Sequence, residues 1–150
     1  MHVAITPDQW LNRFRFGVKR VAASSKDIQR TLMVLPPGPI ATPELRRSFG
    51  VIANGVTVAL DGERTLRAAA GRLAGTGLLP SATTEPLGVL DRMFDQWNQM
   101  RGYVEAIRDT GVVPGRESSW FWSELPRLAS DAEAAANAIL DALTGARAVA

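Results

Sequence analysis

From Trp10 to Leu32 the apolar side chains return every three or four positions. Placed 100° apart, Trp10, Leu11, Phe14, Val18, Val21, Ala22, Ile28 and Leu32 fall within one arc about 120° wide, the pattern of an amphipathic helix. The segment before it carries a matching start signal. Thr6 is placed to cap the first turn, Pro7 suits the first helical position, and Gln9 completes a capping box. Pro36-Pro37-Gly38-Pro39 stops the helix and reads as a stiff connector, although it has PxxP spacing.

Thr42-Pro43-Glu44 opens a second helix by the same logic, with Leu45, Phe49, Ile52, Val56 and Leu60 at helical spacing. Three readings stay open for residues 50–62. The helix can continue through Gly50 and Gly55, at a cost of roughly 1 kcal/mol each relative to alanine. It can end near Asn54 and give way to extended chain. Or Asn54-Gly55, set between Val51-Ile52-Ala53 and Val56-Thr57-Val58, can turn a short hairpin near 51–60. Asp61-Gly62 then reads as a turn into a short alanine-rich helix over about 63–74, ended by Gly75-Thr76-Gly77, with a loop over 76–84.

The next helix is expected from about Glu85 to Thr110, closed by Gly111. Leu87, Leu90, Met93, Phe94, Trp97, Met100, Val104 and Ile107 make an apolar arc of about 160°, wide enough for a central bundle helix. Residues 111–119 read as a loop. The last helix can start at Ser123, with Pro126 in its first turn, or at the capping box Ser130-Asp131-Ala132-Glu133; it ends at Thr144-Gly145. Four or five helices with short connections predict a mainly α, single-domain helical bundle over 1–150.

Composition narrows the chemistry. The chain has no cysteine and one histidine, His2. Disulfides, thiolate zinc sites and Cys–His or Ser–His catalysis are therefore not expected. Gly71…Gly75-Thr76-Gly77 does not follow a strand and no Gly-Lys-Ser/Thr is present, so no phosphate loop is read. Asp91, Asp95 and Asn98 share one side of their helix but lack the further oxygen ligands of a cation loop. No catalytic residue, cofactor, metal ligand or small-molecule substrate is assigned, and the chain is expected to be non-catalytic. No secretion signal and no apolar run of membrane-spanning length is seen, so the expected location is cytoplasmic.

Charge adds the most information. Arg15, Lys19, Lys26 and Arg30 lie within about 60° of one another on the first helix, a linear ridge suited to a phosphate backbone or an acidic partner. Arg46 and Arg47, with the Arg64, Arg67 and Arg72 group, extend the basic half, and Arg46 and Arg47 are candidates for polyanion contact with the ridge. The competing reading is a solvated face whose stems cover the core edge. Glu63 and Arg67 read as an i,i+4 pair. Arg101 and Arg108 fall inside an apolar arc, and Trp120-Phe121-Trp122 places three rings in a row that cannot all face one core stripe. These five residues are candidates for a protein interface, since Arg and Trp are enriched at binding hot spots; the bland reading is packed stems and a lid on the core.

The formal net charge of +2 is a cancellation. Residues 1–75 carry +6 and residues 76–150 carry −4. The expectation is a helical subunit working through contacts with a protein partner or with itself. The alternative is a nucleic-acid backbone binder that uses the N-terminal half.

Overall fold

The computed structural model describes residues 4–35, 43–111 and 119–149. The chain forms four long helices: α1 (Pro7–Met33), α2 (Pro43–Leu73), α3 (Thr84–Thr110) and α4 (Ser119–Val149), with a single 3-10 turn at Ser81–Thr83 leading into α3. No strand occurs among the described residues. Each helix packs on two neighbours, in the cyclic order α1, α2, α3, α4 and back to α1. Cross-helix contacts run in antiparallel register, later residues of one helix meeting earlier residues of the next: Gly17 with Gly62 and Ile28 with Gly55, Arg46 with Asp109 and Arg67 with Asp91. The result is an up-down-up-down bundle.

Local chemistry explains the ends. The Thr6 hydroxyl accepts from the Gln9 N–H at 3.2 Å, and the Thr6 N–H donates to Gln9 Oε1 at 2.9 Å, so the capping box is complete. Gly111 takes φ +73° and returns its N–H to the Ile107 carbonyl at 2.8 Å, closing α3 where the sequence indicates. Gly75 and Gly77, at φ +81° and +75°, turn the chain after α2.

The segment 50–62 is where the structure chooses among the open readings. α2 runs unbroken through Gly50, Gly55 and Gly62, so there is neither a hairpin near 51–60 nor a turn at Asp61-Gly62, and the two helices expected on either side are one. The reason lies across the helix pair. A Cβ on Gly55 would stand 2.8 Å from Ile28 Cγ1, and one on Gly62 would stand 2.8 Å from the Gly17 carbonyl oxygen. Both glycines mark places where α1 approaches too closely for a side chain. Ser24 serves the same seam on α1, its hydroxyl folded back onto the Arg20 carbonyl at 2.6 Å.

α4 starts at Ser119, before either expected start, and carries Pro126 in its interior. The proline removes one backbone donor, yet the helix continues because Phe121, Leu125, Leu128 and Ala129 on the same stretch are buried. The expected loop over 112–118 and the Pro36–Pro39 connector lie outside the described residues. The core is one cluster drawn from all four helices, with Phe14, Phe49, Trp97 and Phe121 its largest fully buried rings. No helix is long and apolar enough to cross a membrane among the described residues.

Candidate functional site

The arginines of the N-terminal half divide by what holds them. Arg13 and Arg72 lie on Trp10, 5.0 and 5.6 Å from the ring centroid. Arg20 lies on Phe16 at 5.5 Å, and Arg64 and Arg67 lie on Phe94 at 5.7 and 4.7 Å. These contacts are cation–π geometry, and they commit the guanidinium groups to the bundle's own surface. Arg46 is committed as well. It donates to the Asp109 carbonyl at 3.0 Å, placing a cation on the last turn of α3, where the helix dipole favours it.

What remains is narrower than the sequence pattern. Arg15 is half-exposed and donates to Asn12 Oδ1 at 3.2 Å. Lys19, Lys26 and Arg30 are exposed, and no ion pair forms on them among the described residues. They project from the side of α1 opposite its buried residues Phe14, Val18, Val21 and Ile28. Arg47 is exposed on α2, beside a cleft that it lines with Thr31, Glu44, Ser48 and Val51. The ridge is thus Arg15, Lys19, Lys26 and Arg30, with Arg47 toward one end and Arg46 turned to α3.

The five candidate interface residues do not form one patch. Phe121 is 1% exposed and stacks against Phe49, ring centroids 6.4 Å apart, so it belongs to the core and offers nothing to a partner. Trp122 is half-buried, edge-on to Phe121 at 5.2 Å. Trp120 is 43% exposed and meets Tyr103 of α3, itself 46% exposed, at 5.1 Å. Arg101 stands seven residues, two helical turns, after Phe94, whose ring meets Arg64 and Arg67 of α2. Arg108 is exposed and bonded to Asp109 at 2.9 and 3.3 Å; that hydrogen bonding, together with the positive charge, holds the Asp109 carboxyl below its ordinary value.

Tyr103 escaped the sequence reading because it lies outside the apolar arc of α3. Only its meeting with Trp120 across two helices gives it significance. The exposed apolar residues Phe16, Met33, Val34 and Val51 were missed for the same reason.

Glu63 is the other residue whose setting was invisible. Its side chain is 2% exposed, whereas Arg67 and Asp91 around it are about half in solvent. Arg67 Nε donates to Asp91 Oδ1 at 2.8 Å, and although Glu63 Oε1 lies 3.1 Å from that nitrogen it accepts no hydrogen bond from it. Burial raises the Glu63 carboxyl to about 7; a hydrogen bond to Asp91 and the Asp91 charge add to this, and Arg67 opposes it. A carboxyl of this kind suits acid–base chemistry only where substrate can reach it. Glu63 lies outside the groove between α3 and α4 and outside the clefts beside α1 that Ser24, Thr31 and Leu32 help to line. Asp91 is taken by Arg67, and Asn98 donates to the Phe94 carbonyl at 3.3 Å. No group of three His, Cys, Asp or Glu residues among the described residues could hold a metal ion.

Comparison with protein-family models, with curated proteins and with solved structures finds no match to this chain.

Proposed function

We propose that the chain is a non-catalytic helical module that acts by docking to a protein partner. The observation that carries this reading is the Tyr103–Trp120 pair, two large rings in mutual contact and nearly half exposed at the seam of α3 and α4. Isolated exposed apolar residues are ordinary, but two aromatic rings in tilted contact, each carried on a long helix, form an anchor of the sort enriched at binding hot spots. The bundle beneath needs neither ring for its core, which Trp97, Phe14, Phe49 and Phe121 fill. The test is affinity capture from native extract with the wild type and with Y103A/W120A. The partner recovered by the wild type is expected to be lost by the double variant, with nuclease treatment making no difference. Equal recovery by both proteins overturns the reading.

A second reading has its own observation, the three exposed cations Lys19, Lys26 and Arg30 with no ion pair on them among the described residues. A ridge of that form suits contact with a nucleic-acid backbone, without base readout. Affinity for duplex or single-stranded DNA or RNA is then expected to fall with salt. K19E/K26E/R30E is expected to weaken binding and to flatten the salt slope by about 3 phosphate contacts. No binding at low salt overturns it.

A further inference from the structure

The outward face of α1 has a second regularity. Phe16, Lys19, Ala23, Lys26, Arg30 and Met33 are all exposed and recur at alternating steps of three and four residues, the spacing of a seam that packs against another helix. The core of this bundle uses the opposite side of α1, so no helix packs on the seam among the described residues. Phe16 and Met33, 56% and 85% exposed, stand near its ends, and the long stems of Lys19, Lys26 and Arg30 fill its middle.

The complementary shape lies between α3 and α4. A groove of about 600 Å³ is lined by Val89, Ala134, Ala135 and Ala138, with Glu85 on one wall and Asp131 on the other. Small side chains let an incoming helix approach closely, and the two carboxylates give the groove a charge opposite to that of the seam. Glu85 carries no ion pair among the described residues, and Asp131 is held at 3.3 Å by Arg127, a pair exposed to solvent.

The spacing agrees too. The contact between Tyr103 and Trp120 sets the antiparallel register of α3 and α4, which puts Glu85 level with Ala138, seven residues from Asp131 along α4. Lys19 and Lys26 are also seven residues apart. At about 1.5 Å per residue both separations measured along the helix axes are about 10 Å.

We infer that the groove between α3 and α4 takes the α1 seam of a second copy of this chain, with Lys19 and Lys26 meeting Glu85 and Asp131. The contact uses two different surfaces, so it joins copies head to tail and propagates as a ring or a filament. It rests on the reading that the chain acts through protein contacts, but uses surfaces distinct from the Tyr103–Trp120 pair. The charge difference between the halves of the sequence then serves association between copies.

Light scattering and sedimentation over a concentration series test this. At low salt the weight-average mass of the nuclease-treated wild type is expected to rise with concentration above the 16.2 kDa of one chain, and to fall back as salt screens the charges. K19E/K26E and E85K/D131K change only exposed positions, and helical circular dichroism checks that each folds. Each alone is expected to associate about tenfold more weakly or worse. Mixing the two restores association, because the reversed seam of one meets the reversed groove of the other. A wild type that stays monomeric throughout overturns the inference, as does an association that disappears on nuclease treatment or a mixture that stays dissociated. Capture of a different protein through Tyr103 and Trp120 by a monomeric wild type would leave the docking proposal standing while this one falls.

Discussion

Gly17 and Gly62 lie against each other across α1 and α2. A Cβ on Gly17 would stand 2.7 Å from the Gly62 carbonyl oxygen and 2.8 Å from the Leu66 nitrogen, and a Cβ on Gly62 would stand 2.8 Å from the Gly17 carbonyl oxygen. The obstructing atoms are backbone, which cannot swing aside. G17A and G62A are therefore expected to destabilise the bundle by about 1–3 kcal/mol through overpacking, despite alanine's better helix propensity. Gly71, exposed on the same helix with nothing within 4 Å of its Cβ position, provides the control. G71A is expected to stabilise by about 0.5–1 kcal/mol. Urea denaturation of the three variants reads both signs.

Glu63 makes stability depend on pH in an unusual direction. Its folded pKa, about 7, lies above the ordinary 4.5, so folding favours its protonated form. That contribution is fully present below pH 4.5 and is lost as pH rises through 7. The loss is expected to reach about 3 kcal/mol. E63Q, which keeps the neutral shape, is expected to remove this dependence and to be the more stable protein at pH 8. Denaturation midpoints of both proteins between pH 4.5 and 8 check it; parallel curves would contradict the assignment.

Ser25 is fully buried on α1, and its hydroxyl has no hydrogen-bond partner among the described residues. Replacing it removes a desolvated polar atom without leaving a partner behind. S25A is expected to stabilise by about 1 kcal/mol. Thermal or chemical unfolding of the single variant is sufficient.

Arg46 and Lys26 are alike in sequence, both cationic and exposed, but the bundle uses them differently. Arg46 bonds the Asp109 carbonyl at the end of α3, and no ion pair or hydrogen bond to Lys26 occurs among the described residues. R46A is expected to cost about 0.5–1 kcal/mol of stability, and K26A to change stability by no more than about 0.5 kcal/mol. Parallel denaturation curves compare the two.

The helix ends were legible because their signals are local. The Thr6–Gln9 capping box and the Gly111 terminator act over four or five residues, and the structure realises both. Gly55 and Gly62 show the limit of such reading. Their local cost argues for a break in α2, while the compensating gain, close approach of α1, involves residues about 30 to 45 positions away. The start of α4 was misplaced for a related reason, since burial of Phe121 against Phe49 outweighs the local signals at Ser123 and Ser130.

The same division holds for the surface. Periodicity alone determined a mainly helical bundle and the basic ridge of α1, because both follow from the fixed geometry of a single helix. Which cations stay unengaged, that Tyr103 joins Trp120, and that Glu63 is sealed beside Asp91 depend on how helices pack. Those properties belong to pairs of elements, set by distances that no single helix encodes, and only the tertiary structure could decide them.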